Sequence, residues 1–221
     1  MLKKNIIVIP ARGNSKRLPN KNTTLFGDIP LTAHSIQYAK VNGFDNIVVS
    51  TDDNAIKNIA RSYGVKVIDR PSNLATDESP TIDTLKHVLI NSDKKFETVI
   101  LLQPTNPLRP KGLLKEAYQK FIERGYDSLF TVTRNYHKLG NICNEKFVPL
   151  NYKIGQRSQD LEPLYFENGL LYITKASLIL EGKIVGENNY PFIVNHPYAK
   201  IDIDTKEDFE YAEYLLKRSK K

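Results

Sequence analysis

The stretch NIIVIPARGNSKRLPNKN, residues 5–22, decides the fold class. It opens with residues 5–9, a run rich in β-branched apolar side chains that is typical of a strand buried in a parallel sheet. A loop follows with no acidic residue before Asp28 and with four cations: Arg12, Lys16, Arg17 and Lys21. Because like charges on one loop repel each other, this loop is either well solvated or built to receive an anion.

Outward from this stretch, strand-like and helix-like segments alternate along the chain. The further predicted strands are residues 46–51, 65–69, 98–103, 128–133, 169–174, 190–194 and 199–204. The predicted helices are residues 30–41, 54–63, 81–91, 110–124 and 206–216. This alternation predicts a doubly wound, mostly parallel α/β sheet, in which ligands bind outside the carboxyl ends of the strands.

The alternation breaks between residues 134 and 166, where the sequence is polar, with aromatic residues and short β-like pieces. We interpret this stretch as an insert in a single domain of residues 1–221. Its predicted role is that of a lid or a small dimerisation arm.

Composition limits the classes of ligand and location. The chain has 221 residues, 40% of them hydrophobic and 26% charged, which fits one domain with a buried core. The net charge of +7 is local rather than spread over one face, so we expect a small polyanionic ligand and no nucleic acid. No apolar run approaches the roughly 18 residues of a membrane span. A single cysteine, Cys143, excludes an internal disulfide and indicates a reducing cytoplasm.

The basic loop has the composition of a phosphate-binding loop. Gly13, Asn14 and Ser15 allow a tight turn, whose backbone amides and neighbouring cations suit phosphate oxygens. Neither the G-x-x-x-x-G-K-[ST] motif nor the G-x-G-x-x-G dinucleotide fingerprint is present. From charge alone, a solvated basic loop stays open as the alternative.

Residues 10–22, PARGNSKRLPNKN, resemble the signature P-A-R-x-x-S-K-x-x-x-x-K-N of the acylneuraminate cytidylyltransferases, also called CMP-sialic acid synthetases. The matching residues are Arg12, Ser15, Lys16, Lys21 and Asn22. The resemblance implies a nucleotide-diphospho-sugar transferase-like fold and a loop that wraps the triphosphate of CTP. It also implies that the three cations contact phosphates, while Ser15 and Asn22 help to hold the nucleotide.

Residues 70–81, RPSNLATDESPT, resemble the R-P-x-x-L-A-x-D segment of the same family. The resemblance implies that Arg70, Ser79 and Thr81 lie near the cytosine and ribose. The local alternative is an ordinary turn in which Asp77 or Ser79 caps the helix that begins near residue 81.

Residues 101–109, LLQPTNPLR, resemble the family's L-L-Q-P-T-S-P-L-R, with Asn106 in place of the usual serine. The resemblance implies that Gln103 contacts the sugar acid. The alternative is that this glutamine only satisfies the backbone of its own stiff, proline-containing loop.

Residues 157–169, RSQDLEPLYFENG, resemble R-R-Q-D-L-P-x-x-Y-x-x-N-G, with Ser158 as a departure. Arg157 and Gln159 fall on the motif and are predicted to bind the substrate. A planar guanidinium binds a carboxylate through two hydrogen bonds, so Arg157 is the predicted partner of the acid. The Asn168–Gly169 pair is expected to shape the start of the following strand.

Residues 201–205, IDIDT, place two carboxylates close together. If this segment is a strand, Ile201 and Ile203 face the core, and Asp202 and Asp204 share the other face about 6.6 Å apart. Two carboxylates beside a triphosphate suit Mg²⁺. The alternative is that Asp204 or Thr205 caps the next helix, which leaves Asp202 unexplained. The family carries the same I-D-I-D-T, and the resemblance implies that both aspartates hold the metal.

The resemblance covers nearly the whole chain and implies a reaction. The enzyme transfers CMP from CTP to the anomeric hydroxyl of an N-acylneuraminate-type sugar acid and releases pyrophosphate. Its implied catalytic residues are Arg12, Lys21, Asp202 and Asp204, and its implied assembly is a homodimer. Another nonulosonic acid (legionaminic or pseudaminic), Kdo, or a non-catalytic nucleotide-binding protein remain as alternatives.

Overall fold

The structure is a computed structural model that describes residues 4–219. Its strands are β1 (Asn5–Pro10), β2 (Leu25–Phe26), β3 (Ile29–Pro30), β4 (Ile47–Thr51), β5 (Lys66–Asp69), β6 (Thr98–Leu101), β7 (Ser128–Asn135), β8 (Gly140–Cys143), β9 (Lys146–Pro149), β10 (Leu164–Lys175) and β11 (Asn189–Ile193). Its α-helices are α1 (Leu31–Val41), α2 (Asn54–Ser62), α3 (Thr81–Ile90), α4 (Leu113–Arg124), α5 (Ala176–Glu181) and α6 (Lys206–Ser219).

Seven strands form the central sheet in the order β11-β7-β10-β6-β1-β4-β5. β1 pairs in parallel with β4 and β6, β4 with β5, and β7 with β11. Only β10 runs against its neighbours β6 and β7. The prediction of a mostly parallel α/β sheet is therefore confirmed, and six strands place their carboxyl ends at one edge.

The alternation of side chains along β1 divides the core into two layers. Ile7 and Ile9 pack with residues of α1, α2 and α4 on one face of the sheet. Ile6 and Val8 pack with residues of α3 and α5 on the other face. Both faces of the first strand are buried, which is why its sequence reads as an unbroken apolar run.

The strand predicted over residues 199–204 is not formed. A 3₁₀ turn at Pro197–Lys200 precedes an extended segment, residues 201–204, that belongs to no sheet. Its apolar side chains are buried as expected, because Ile201 and Ile203 join a third core cluster with Phe26, Leu31, Leu108 and Ala212. The segment alternates like a strand, but it hydrogen-bonds to a loop instead of a strand.

The predicted start of β10 is also wrong. β10 begins at Leu164 rather than at residue 169, and its pairing with β7 shifts register between Glu167 and Tyr172. Gly169, with φ +73°, lies inside this irregularity, so the Asn168–Gly169 pair bends the strand rather than starting it. The short helix α5 was not predicted.

The insert is narrower than predicted. Residues 136–163 connect β7 to β10, and within them β8 and β9 form an antiparallel hairpin. Several large apolar side chains of this connection are exposed: Ile142, Phe147, Leu150 and Ile154. Within residues 4–219, no helix is long and apolar enough to cross a membrane.

Candidate active site

A cavity of about 440 Å³ opens at the carboxyl ends of β1, β5 and β6. We call it the first cavity. Ten of the predicted site residues line it: Arg12, Ser15, Lys16, Lys21, Asn22, Arg70, Ser79, Thr81, Gln103 and Asp204. The sequence motifs that carry these residues are far apart along the chain, and the parallel sheet brings them to one edge.

Backbone contacts hold the basic loop against β4 and the turn after it. The amide of Ala11 donates to the Ser50 carbonyl at 3.0 Å, and the amide of Gly13 donates to Asp52 Oδ1 at 3.0 Å. A Cβ atom at Gly13 would lie 2.7 Å from the Cβ of Asp53, so only glycine fits this approach. The loop is therefore fixed rather than freely solvated over these residues.

Lys21 joins the basic loop directly to residues 201–204, which we call the acidic segment. Its ammonium is largely buried and donates to the Ile203 carbonyl at 2.6 Å and to Asp204 Oδ1 at 2.9 Å. Arg17, which was not among the predicted site residues, donates to Asp204 Oδ2 at 2.7 Å. The cations near the amino end and the acid near the carboxyl end thus face one another across the first cavity.

A second carboxylate, Asp77, pairs with the other cations of the loop. One of its oxygens contacts the Arg12 guanidinium, and the other lies 2.7 Å from Lys16 Nζ. The hydrogen bonds from Lys16 and Arg12 lower the pKa of Asp77. Asp77 does not cap α3, and neither does Ser79, whose hydroxyl donates to the Asn73 carbonyl at 3.0 Å. The capping alternative for this turn is therefore wrong.

Arg70 forms a fixed cation in the wall of the first cavity. Its side chain is buried and donates to the Ser50 carbonyl at 2.6 Å and to the Ser50 hydroxyl at 3.3 Å. Burial lowers the pKa of Arg70 to about 10, so the guanidinium still carries its charge at neutral pH. A group held this way is oriented before any ligand arrives.

A second cavity of about 280 Å³ adjoins the first, and we call it the second cavity. It is lined by Phe166, Glu167, Asn168, Gly169, Tyr172, Ala199, Lys200, Ile201, Asp202 and Gln103. Gln103 lines both cavities. Its backbone carbonyl accepts from Arg109 Nη2 at 2.8 Å, while its side chain makes no hydrogen bond to any residue between 4 and 219. The side chain is thus free to face a ligand, which disfavours the loop-stabilising alternative.

The two aspartates of residues 201–205 lie on different cavities, Asp204 on the first and Asp202 on the second. Neither caps α6. That role belongs to Thr205, whose hydroxyl accepts from the Asp208 amide at 3.2 Å, while Asp208 Oδ2 accepts from the Thr205 amide at 2.8 Å. The cap therefore uses neither carboxylate: Asp204 binds Lys21 and Arg17, and Asp202 makes no hydrogen bond within residues 4–219.

The donors at this edge fit Mg²⁺ as a partner shared with phosphates. In the described part of the chain, no three His, Cys, Asp or Glu side chains cluster as a self-sufficient metal site. Mg²⁺ in nucleotide enzymes is held by one or two carboxylates together with substrate phosphates and waters. Asp202 and Asp204 are carboxylates of this kind at the two adjoining cavities, and their role as metal ligands stays a prediction.

Comparison with known proteins decides the family. A model of the cytidylyltransferase family matches residues 6–220. The chain belongs to the cytidylyltransferase family. It is 35% identical over 226 residues to a pseudaminic acid cytidylyltransferase of Campylobacter jejuni, covering 97% of each chain. It is also 35% identical over 231 residues to a CMP-N,N'-diacetyllegionaminic acid synthase of Legionella pneumophila, covering 96% of this chain and 95% of the relative.

A solved structure shows the same fold. The chain superposes on CMP:2-keto-3-deoxy-manno-octonic acid synthetase complexed with CTP with a TM-score of 0.74 and 17% identity. The match covers 98% of this chain and 100% of that one. As a cytidylyltransferase, the protein is a nucleotidyltransferase with the predicted fold.

Two predicted substrate residues of this cytidylyltransferase lie outside both cavities. Arg157 and Gln159 lie at the 3₁₀ turn Ser158–Asp160 of the connection between β7 and β10. Arg157 binds Asp160 through two hydrogen bonds of 2.7 and 3.1 Å. Their role in substrate binding stays a prediction.

Sequence reasoning missed several residues of the cytidylyltransferase site. Arg17 was visible as charge on the basic loop but matched no motif position. Tyr172 and Lys200 line the second cavity, and nothing in their local sequence marks them. Arg109 is buried and holds the Gln103 carbonyl, and its place at the end of the LLQPTNPLR motif was the available signal.

Proposed function

We propose that this cytidylyltransferase transfers CMP from CTP to the anomeric hydroxyl of an N-acylneuraminate-type nonulosonic acid and releases pyrophosphate. One observation carries the proposal: the basic loop and the acidic segment meet in the first cavity, where Lys21 Nζ lies 2.9 Å from Asp204 Oδ1. The names of the two relatives, which concern pseudaminic and diacetyllegionaminic acids, support the class of acceptor.

In this proposal the first cavity binds CTP. Arg12, Lys16 and Lys21 bind the phosphates, helped by Ser15 and Asn22. A charge-assisted hydrogen bond of this kind contributes about 1.5–3 kcal/mol. The nucleoside lies towards Arg70, Ser79 and Thr81, which line the same cavity. Asn22 Nδ2 donates to the Arg12 carbonyl at 2.8 Å, which supports a role for Asn22 in holding the loop that carries Arg12.

The second cavity is the proposed acceptor site. Gln103 lies between the two cavities and would orient the acid towards the α-phosphorus. The anomeric oxygen forms the new bond to phosphorus while the bond to the β-phosphate oxygen breaks, and its electron pair leaves with pyrophosphate. The hydroxyl proton passes to solvent. Arg12 and Lys21 stabilise the charge that develops on the leaving group, so the residues mainly position and neutralise.

Asp202 and Asp204 are the proposed ligands of Mg²⁺. When bound, the ion supplies positive charge at the α-phosphate and lowers the pKa of the attacking hydroxyl. Lys21 and Arg17 hold the Asp204 carboxylate in place at the edge of the first cavity.

We place the enzyme in the cytoplasm as a homodimer. The exposed apolar side chains of the β8–β9 hairpin support a second copy as its partner. In such a dimer, Arg157 and Gln159 would reach the acid of the partner's site, in keeping with their distance from both cavities of their own chain. The single cysteine, Cys143, supports a reducing compartment.

Pyrophosphate release tests the proposal. The full chain is incubated with CTP, Mg²⁺ and, separately, N-acetylneuraminate, a legionaminic acid, a pseudaminic acid and Kdo. We expect release with at least one nonulosonic acid and none without acid. Tight CTP binding without pyrophosphate release for any acid would favour a non-catalytic nucleotide-binding protein. Release with Kdo alone would show that Kdo, and not a nonulosonic acid, is the acceptor.

A further inference from the structure

Asn106 is an uncharged polar residue buried in the loop after β6. Its relative exposure is 0%. A buried amide is costly unless its donors and acceptor are paired, so the partners of such a residue indicate what it stabilises. Asn106 stands where the resembling family usually has a serine, whose side chain is shorter and has a single donor.

The partners of Asn106 lie on the acidic segment and on β10. Its Nδ2 donates to the Ile201 carbonyl at 2.6 Å and to the Asn168 carbonyl at 3.3 Å. The preceding residue adds a bond to the same segment, because the Ile203 amide donates to the Thr105 carbonyl at 2.8 Å. The residues on both sides of Asp202 are therefore tied to the loop after β6.

These bonds replace the strand pairing that the segment lacks. Residues 201–204 join no sheet, so the loop contacts, the Lys21 bond to the Ile203 carbonyl and the burial of two isoleucines fix their backbone. The Asp202 side chain is exposed and makes no hydrogen bond within the described residues 4–219. The backbone of the segment therefore determines which part of the site this side chain can reach.

Asn106 also contacts the wall of the second cavity that is formed by Asn168 and Gly169 of β10. A Cβ atom at Gly169 would lie 2.9 Å from Asn106 Oδ1, so β10 approaches this side chain closely at its irregularity. Asn168, whose carbonyl Asn106 contacts, accepts from the Thr131 hydroxyl at 2.6 Å through its own side chain. One amide therefore connects the two walls that carry Asp202 and Gly169.

We propose that Asn106 is a positioning residue that holds the Asp202 carboxylate at the second cavity by fixing the Ile201 carbonyl beside it. This inference rests on the proposed function for the role of Asp202. Its structural part, the fixing of residues 201–204, does not depend on that function.

The test compares Asn106→Ala and Asn106→Ser with wild type and with the control Asn5→Ala. Asn5 is also a buried asparagine and donates to the Tyr118 hydroxyl, but it begins β1, at the opposite end from the cavities. Hydrogen exchange of the backbone amides in residues 201–205 is measured for each variant, together with kcat and the KM for CTP.

Loss of the amide is expected to raise exchange in residues 201–205 about tenfold and to lower kcat about tenfold, because the buried hydrogen bonds that hold this segment are lost. The KM for CTP should change less than about threefold, because no hydrogen bond of Asn106 reaches the cations of the first cavity. Asn106→Ser should recover part of both losses, and Asn5→Ala should change neither.

The inference would be overturned if residues 201–205 exchanged no faster in Asn106→Ala than in Asn5→Ala. An unchanged kcat in Asn106→Ala would overturn it as well. A fall in kcat that Asn5→Ala shares would do the same, because it would reflect general loss of stability. A wild-type chain that releases no pyrophosphate with any acid overturns the proposed function instead, and the exchange measurement still decides whether Asn106 fixes the segment.

Discussion

Two carboxylates balance the cations of the first cavity, one on each side. Asp204 accepts from Lys21 and Arg17, and Asp77 pairs with Arg12 and Lys16. A nucleotide phosphate would compete with Asp77 for the same donors, whereas Asp204 belongs to the proposed metal site. The two carboxylates therefore have opposite expected effects on ligand binding.

Asp77→Asn is expected to bind pyrophosphate and CTP about three- to fivefold more tightly than wild type, because an exposed ion pair worth up to about 1 kcal/mol no longer competes. Glu78→Gln is the matched control, since it removes the same charge from the next residue, which forms no ion pair within residues 4–219. Calorimetric titration of each variant measures the affinity. Equal or weaker binding by Asp77→Asn would show that Asp77 is not a competitor.

Asp202→Asn should leave the fold intact and reduce turnover at least about tenfold, because the exposed side chain stabilises no part of the core but is a proposed metal ligand. Asp93→Asn, a carboxylate paired with Lys66 away from both cavities, is the control. Steady-state kinetics and thermal unfolding are measured together. Wild-type turnover in Asp202→Asn would remove Asp202 from the catalytic set.

The sequence allowed the place of some site residues to be predicted, but not that of others. Charged residues on loops after strands were predictable, because charge is costly anywhere but at the surface or beside a partner. The role of Asn106 was not, since its partners lie 62 and 95 positions away and the sequence marked it only as a departure from the usual serine. The different cavities of Asp202 and Asp204 were also beyond sequence reasoning, which placed both on one strand face.

At the scale of elements, the start of α6 is fixed by a reciprocal cap. Asp208 accepts from the amides of Asp204 and Thr205 and from the Thr205 hydroxyl. Burial alone would raise the pKa of Asp208, but these hydrogen bonds outweigh it and lower the pKa below the usual 3.8. The cap also anchors the residue that follows the acidic segment.

Asp208→Asn should lose about 1 kcal/mol of unfolding free energy at neutral pH, the usual value of a helix cap. Because the folded pKa of Asp208 is lowered, its carboxylate stabilises the fold above its unfolded value near 3.8, and this stability is lost as pH falls through the folded pKa. The difference between wild type and variant should therefore shrink from about pH 5 to pH 3.

Urea unfolding at several pH values measures this difference. Glu207→Gln is the control, since it removes a charge from the same first turn of α6. A difference that stays constant down to about pH 3 would contradict the assigned role of the ionised Asp208.

The β8–β9 hairpin is the element assigned to dimerisation. Ile142 is 80% exposed on it, and a charge placed there would be buried against a second copy at high cost. Ile142→Glu is expected to shift the chain from dimer to monomer in light scattering coupled to gel filtration. Val41→Glu, at an equally exposed position that ends α1, should remain a dimer. A monomeric wild type, or a dimeric Ile142→Glu, would contradict the assignment.

Elements with regular periodicity were predicted well, and irregular ones were not. β1, β4 and α3 lie within one residue of their predicted bounds, because their apolar patterns are backed by clear turn residues. The pattern of residues 201–204 is that of a strand, but these residues hydrogen-bond to the loop after β6 and join no sheet. β10 was predicted to start too late, because its first residues, Leu164, Tyr165 and Phe166, are apolar but exposed, and they follow a polar stretch of sequence.

At the scale of the whole molecule, topology creates the site. The wrapping of residues 201–204 back to the basic loop is secured by the third core cluster, in which Ile203 packs with Phe26 and Leu31. As a result, Lys21 and Asp204 touch although 183 positions separate them. The alternation of strands and helices predicted the edge of the sheet at which ligands bind. Only the folded chain shows that the basic loop and residues 201–204 meet at this edge.

The most direct test is a crystal structure of the full chain with CTP and Mn²⁺, with the cation located by its anomalous signal. The account predicts phosphates against Arg12, Lys16 and Lys21 in the first cavity and a manganese peak beside Asp202 and Asp204. Nucleotide bound away from that cavity, or a cation peak remote from both aspartates, would contradict the account.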